Sequence, residues 1–380
     1  MRIGIDARVL FSRKTGDRSY IINLLRNLPL VRPHFEFVAF AELHRIHSIN
    51  GRCAASALAN GIRFIYLSSP FGWHFSQVAL PIGAKAFKVD MLHVQYIGPI
   101  LVRHRFVTTI HDVSWRRLPR CFPSHNRLLL NMFIPITLRL ADAIITDSHS
   151  SREDLMRLFN AAPEKVHVIP LGVSDDFFAP PSQRECDELL SRYGLRRGYA
   201  LYLGVLQPRK NLHRLIEAVA MLRDNGMWQN DWVLVIGGKL GWHYEMLFRA
   251  VERFRLSGIV KFIGYVDDEQ LRPLYACARV FVYPSLWEGF GLPVVEAMAS
   301  GVPVITSNVG ALKELAEGAA VLVNPYDVAS IADALYKLMS DEAVCESLRE
   351  VGKERAMQFT WRRTAELTAS VYEKVVCEAK

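Results

Sequence analysis

Short apolar runs recur along the chain, and polar or amphipathic stretches separate most of them. In the first part the candidate strands are 2–10, 35–41, 62–67, 91–95, 105–110, 143–147 and 166–170, and a helix is predicted over about 17–28. In the second part strands are expected at 199–205, 232–236, 259–263 and 280–283. A further strand within 301–310 enters a loop and helix, and the last closes at Asn324-Pro325. A helix runs from the loop after residue 205 to about Arg223. Alternation of strand and helix predicts α/β architecture with parallel, doubly wound sheets. Ligands to such sheets bind at the carboxyl ends of the strands. The stretch 175–197, with Pro180-Pro181 and dense charge, reads as a linker region.

A chain of 380 residues exceeds one ordinary core and suits two domains, placed at 1–175 and 176–357, with the linker counted in the second. At 22% charged and half hydrophobic it is globular. Its six cysteines are scattered without C-x-x-C spacing, as expected of reduced thiols in a cytoplasmic protein. Met1-Arg-Ile-Gly-Ile-Asp6 enters a strand directly, which does not read as a secretory signal. The most apolar region, 128–145, contains Asn131, Pro135, Arg139 and Asp142 and does not read as a membrane span.

Charge is uneven. Residues 1–175 hold 22 Lys+Arg against 12 Asp+Glu, and the remainder 24 against 26. A basic half suits nucleic acid, an anionic membrane or a lipid-phosphate acceptor. No helix-turn-helix, zinc or RNA-binding signature accompanies it, which disfavours nucleic acid. Within 115–140, Trp115, Arg116, Arg117, Arg120 and Arg127 precede Leu128-Leu-Leu and Met132-Phe-Ile, a mixture that suits a helix on a membrane surface. A core-facing helix with a solvated basic flank is the competing reading and slightly favoured.

The chemistry concentrates at Pro284-Ser-Leu-Trp-Glu-Gly-Phe-Gly-Leu-Pro-Val-Val-Glu296. A strand runs into a loop with Gly289 and Gly291, then a helix with Pro293 near its start. No Ser, Thr, Asp or Asn stands where a cap belongs, so an anion docked near Gly289, Phe290, Gly291 and Leu292 would satisfy the first amides. Glu288 and Glu296 could accept hydroxyl hydrogen bonds on either side of it. A bland alternative is acids placed for the helix dipole. Upstream, Arg209-Lys210 stand at a strand-to-helix turn and offer a planar fork and a point charge to a diphosphate. In the first half, His93-Val-Gln95-Tyr96 and Thr108-Thr-Ile-His111-Asp112 put polar residues at strand ends, and Thr15-Gly16 opens a helix.

The run Glu288-x-Phe290-Gly291-x-x-x-x-Glu296 resembles the signature of family 4 retaining glycosyltransferases. The resemblance implies the GT-B fold: two Rossmann-like domains with parallel sheets facing across a cleft, closing to assemble the site and expel water. The donor would lie on the second domain and the acceptor on the first. Residues 358–380 would form a helix returning to the first domain. Lys210 matches the family lysine, while Val205 stands where an arginine often follows the strand glycine, so Arg209 takes that place. Thr15-Gly16-Asp17-Arg18-Ser19-Tyr20 resembles T-G-x-G-x-Y with Arg18 for the second glycine.

By the same resemblance His111 contacts donor-sugar hydroxyls and is not a general base. Gly264, Tyr265 and Val266 hold the nucleobase, Glu296 the ribose and Glu288 the sugar. No cofactor or metal is implied, since no Asp-x-Asp site stands out, and front-face attack assisted by the leaving phosphate is preferred. The donor favoured is GDP-mannose, with UDP-sugars next. The acceptor is a glycan or lipid-linked acceptor of surface-polysaccharide assembly; the enzyme is expected to be cytoplasmic, and its basic first half leaves a peripheral contact with an anionic membrane open. A sugar-nucleotide-binding module that has lost transfer, and a phosphorylase, are the alternatives.

Overall fold

The computed structural model describes residues 1–11, 15–45 and 61–377. The chain divides into two units. The first comprises Met1–Arg117, Ser124–Gly172 and Thr360–Lys380, and the second Leu118–Pro123 and Val173–Phe359. Cys53 lies outside the described residues.

The first unit is built on seven parallel strands: β1 (Arg2–Asp6), β2 (Glu36–Glu42), β3 (Ile62–Leu67), β4 (Met91–Gln95), β5 (Phe106–Thr109), β6 (Ala143–Thr146) and β7 (Val166–Val168). Their spatial order is β3-β2-β1-β4-β5-β6-β7. The order reverses between β1 and β4, which register Ile5 against His93, so the loops leaving these strands open onto a switch point. The expected strand 2–10 stops at Asp6 because Arg8 turns back, its Nη2 donating to Asp6 Oδ2 at 2.6 Å, and the chain enters a 3-10 turn, Arg8–Phe11. The helix Gly16–Val31 follows, capped by Thr15, whose side chain accepts from Arg18 N. It packs on the helix Trp361–Cys377, where Arg32 Nε meets Glu373 at 2.7 Å.

The second unit holds β8 (Tyr199–Leu203), β9 (Leu234–Gly237), β10 (Val260–Gly264), β11 (Ala278–Tyr283), β12 (Val304–Ser307) and β13 (Val321–Val323), again all parallel, in the order β10-β9-β8-β11-β12-β13. Here the switch point lies between β8 and β11. The fold class expected from the sequence is borne out: two Rossmann-like parallel sheets, each flanked by helices.

The reading of 175–197 as linker is corrected. Residues Gln183–Tyr193 form a helix opened by a capping box, with Ser182 accepting from Glu185 N and Glu185 returning to Ser182 N. The charge that read as linker is the helix's solvent face, as in the pair Arg184–Glu188, four residues apart. Pro180-Pro181 mark its start.

Candidate functional site

In the second unit, two loops meet at the switch point. Leaving β8, Gly204 takes φ 154°, and the turn Pro208–Lys210 ends at Asn211, whose left-handed φ of 61° starts the helix Leu212–Asp224. Asn211 tolerates that conformation and uses its amide as a clasp, donating to Pro284 O at 3.0 Å and Pro325 O at 2.6 Å. Leu286 N donates to Arg209 O at 2.9 Å. The turn after β8 is thereby sewn to the loop after β11.

These stitches bring Arg209, Lys210 and Glu288 together. Arg209 Nη1 donates to Glu288 Oε2 at 2.6 Å and to Trp287 O at 2.6 Å. Lys210 Nζ donates to Glu288 Oε1 at 2.6 Å and to the Tyr283 hydroxyl at 2.5 Å. Lys210 and Glu288 are both buried. Burial penalises the Glu288 carboxylate, but the charges of Arg209 and Lys210 outweigh it and bring its pKa down to about 2. The triad therefore carries two cations and one anion at neutral pH, a net charge of about +1 at a largely buried site of low dielectric. Both Glu288 oxygens are engaged by cations, Oε2 by Arg209 and Oε1 by Lys210.

Behind Glu288 the loop reaches Gly291, at φ 122°, and enters the helix Leu292–Ala299 with no side-chain cap and Pro293 in its first turn. The backbone around Gly289, Phe290, Gly291 and Leu292 is closely packed: a β-carbon on Gly291 would sit 2.8 Å from Leu312. Glu296 lies one turn on and accepts from the Tyr275 hydroxyl at 3.0 Å, which fixes its carboxylate. At the end of β10, Gly264 O accepts from Gly238 N at 2.7 Å, and the Val266 side chain is buried. Only the backbone of Val266 can serve a ligand, whereas Tyr265, 38% exposed, presents its ring.

The first unit gathers a second cluster. Its centre is His111, just past β5. Its Nδ1 lies 2.7 Å from Asp147 Oδ2, its Nε2 lies 3.0 Å from Gln95 Oε1, and Asp17 is 3.9 Å away. Tyr20 meets the ring edge-on with centroids 5.0 Å apart. Burial disfavours the imidazolium, but Asp147, then Asp17 and Asp112, outweigh it and raise its pKa to about 9. At neutral pH both ring nitrogens are donors, so His111 has no lone pair to act as a base. Gly16 stands at the first position of the neighbouring helix, with nothing within 4 Å of a β-carbon added to it. Arg18, which replaces the second glycine of the T-G-x-G-x-Y pattern, sends its Nε to Leu10 O at 3.2 Å.

His93, noted above as a strand-end polar residue, is structural. It is fully buried between the hydroxyls of Tyr372 and Thr109. Burial, helped by the charge of His111, lowers its pKa to about 3, so it stays neutral. Sequence reasoning missed Tyr283, Asn211, Tyr275 and Asp147 as partners in these clusters, and named Gln95 only as a polar residue at a strand end. Gln95 and Asp147 both stand just at or past strand ends, where polar residues signal a site. Among the described residues, no group of three His, Cys, Asp or Glu side chains is placed to hold a metal ion. No helix among them is long and apolar enough to cross a membrane.

Residues 30–177 match the family model described as Glycosyltransferase Family 4, and residues 194–355 that of Glycosyl transferases group 1. The chain is 37% identical over 283 residues to O-antigen chain mannosyltransferase B of Escherichia coli, covering 73% of this chain and 74% of that protein. It is 32% identical over 386 residues to the D-inositol 3-phosphate glycosyltransferase of Corynebacterium diphtheriae, covering 98% and 86%. The Anabaena protein HepE, solved in complex with UDP and glucose, shares the fold with a TM-score of 0.76 at 19% identity, covering 98% and 100%.

Proposed function

The chain belongs to the family 4 glycosyltransferases and is a hexosyltransferase of GT-B fold, and from that premise we propose that it moves mannose from GDP-mannose to a glycan or lipid-linked glycan, with retention at the anomeric carbon and without a metal ion. The observation that carries this reading is the buried Arg209–Glu288–Lys210 triad, one charge positive, beside a helix start without a side-chain cap. That is an environment for a nucleoside diphosphate, whose negative charge grows as the glycosidic bond breaks. The mannosyltransferase relative supports the sugar.

In the proposed reaction the bond between the anomeric carbon and the diphosphate oxygen breaks, and its electron pair stays on that oxygen. Arg209 and Lys210 stabilise the new charge. An acceptor hydroxyl adds on the face the diphosphate leaves, and its proton passes to the departing phosphate oxygen. Glu296, held by Tyr275, takes the ribose hydroxyls. Glu288 holds the sugar hydroxyls. Tyr265 stacks on the base. His111, an imidazolium, exchanges its Gln95 contact for a sugar hydroxyl and leaves proton abstraction to the phosphate. A UDP-sugar is the second reading, favoured by the UDP and glucose in the Anabaena neighbour.

Calorimetry with GDP, UDP and ADP and their sugars identifies the donor, and NMR of the product gives its anomeric configuration. GDP should bind in preference. Arg209→Ala and Lys210→Ala should each cut turnover about a hundredfold, the usual cost of removing one charge-stabilising donor. Glu296→Ala should weaken nucleotide binding about tenfold or more, with less effect on turnover. Unchanged transfer in all three variants would remove these assignments.

A further inference from the structure

The crossover from β5 to β6 contains the helix Ser124–Leu140. One side is buried through Ile134, Thr137 and Leu138, and Thr137 Oγ1 accepts from Gly98 N at 3.2 Å. The opposite side, where a solvated helix would be polar, is aliphatic instead. Leu128 is 67% exposed, Leu129 48%, Met132 49%, Ile136 40% and Leu140 46%. Residues 128, 132, 136 and 140 are spaced by four, so they line one stripe, about 18 Å long at the helical rise. The loop that Gly98 ties to Thr137 leaves a further apolar residue exposed. Gln77 ties it down, donating to Gly98 O and accepting from Ile100 N, and leaves Leu101 59% exposed. Scattered exposed leucines are ordinary, but a contiguous stripe of this kind marks a contact surface.

Its charge indicates what the surface contacts. No acidic residue occurs between Asp112 and Asp142, a span that includes Arg116, Arg127 and Arg139. Arg116 and Arg139 are exposed, and Arg103 is exposed on the loop beside Leu101. The stripe also lacks exposed Tyr or Trp, the usual anchors of a protein interface. Aliphatic depth with a mainly cationic rim, where exposed Asp142 two residues past Leu140 lies 3.8 Å from Arg105, matches an anionic bilayer surface.

We propose that this helix lies in the headgroup zone of an anionic membrane, with Leu128, Leu129, Met132, Ile136 and Leu140 among the acyl chains and the arginines on the phosphates. The helix follows the carboxyl end of β5, the edge of the sheet that carries His111. A membrane-anchored acceptor would therefore be presented beside that edge. The inference goes beyond the donor chemistry and stands whichever nucleotide is used.

The test is flotation of the full chain with vesicles of phosphatidylcholine alone, or with about a third phosphatidylglycerol, at rising ionic strength. The wild type should bind the anionic vesicles at least tenfold better than the neutral ones and lose that preference as salt is raised. Met132→Asp/Ile136→Asp should reduce binding more than tenfold. Arg116→Glu/Arg139→Glu should reduce it about fivefold or more per arginine, the worth of one cation near a charged bilayer. Both variants alter exposed side chains, so calorimetric affinity for GDP should match wild type, which separates this outcome from failure of the donor assignment. Equal vesicle binding by wild type and the aspartate variant, or none by the wild type, overturns the proposal. So does a concentration-dependent dimer that Met132→Asp/Ile136→Asp dissolves, since the stripe would then belong to a second copy of the chain.

Discussion

Replacing Glu288 with Gln keeps the shape of the side chain and removes its charge, leaving Arg209 and Lys210 facing each other in a buried site. The cost follows from the pKa. A glutamate ordinarily titrates at about 4.3, and here at about 2. The difference corresponds to about 3 kcal/mol of preference for the ionised form in the folded state. Because the folded pKa is depressed, this stability is fully present above about pH 4.5 and is lost as the pH falls through about 2. The loop 284–291 should report it locally, which avoids treating a two-unit chain as one unfolding transition. Hydrogen exchange of peptides covering β11 and the helix Leu292–Ala299 should lose about a hundredfold protection in Glu288→Gln at pH 7. The gap should narrow as the pH is lowered below about 4. GDP should restore part of the protection by supplying the missing negative charge. Equal protection in wild type and variant at pH 7 would refute the claim that the triad holds these loops together.

Three further outcomes follow from particular contacts. Asp147→Asn removes the main charge that keeps His111 protonated, so its pKa should fall from about 9 to near or below its ordinary ~6.5. In the wild type the stabilisation from this raised pKa is present below about pH 6.5 and lost as the pH rises through about 9. An unchanged ring titration by NMR would exclude the ion pair. Gly238→Ala should destabilise the second unit by at least ~2 kcal/mol, seen as a lower denaturant midpoint with lost nucleotide binding, because the added carbon would sit 1.9 Å from Gly204 O at φ 139°. Tyr372→Phe removes one hydrogen bond from buried His93 and should cost about 1 kcal/mol, read by thermal melting.

The parallel sheets were legible because their strands are short, apolar and punctuated by polar or glycine residues at the carboxyl ends. Strand limits were less legible. Nothing local in residues 2–10 indicates that Arg8 will fold back onto Asp6 and end the strand. The helix Gln183–Tyr193 was hidden by its own capping chemistry, since Pro-Pro-Ser with dense charge describes a linker as well as a helix start. At the site, residue types pointed to Arg209, Lys210 and Glu288, but their mutual pairing depends on Asn211 and Leu286 joining loops far apart in sequence. His111 was legible by position and His93 was misleading for the same reason. Both stand at or near the end of a strand, and only tertiary packing gives one a carboxylate and the other two hydroxyls.

The two clusters occupy comparable places on their sheets and carry opposite charge. Arg209, Lys210 and Glu288 sum to one positive charge, whereas His111 with Asp147 and Asp17 sums to one negative charge when the imidazole is protonated. A diphosphate is attracted to the first and repelled by the second, the charge pattern that the proposed nucleotide site on the second unit requires. An oxocarbenium-like sugar has the reverse preference, because positive charge developing on its ring is favoured near carboxylates. Asp17→Asn and Asp147→Asn should therefore lower turnover and leave GDP affinity nearly unchanged, while Glu288→Gln should alter GDP affinity directly. If the Asp17 and Asp147 variants weakened GDP binding as much as Arg209→Ala does, this division of charge between the units would be wrong.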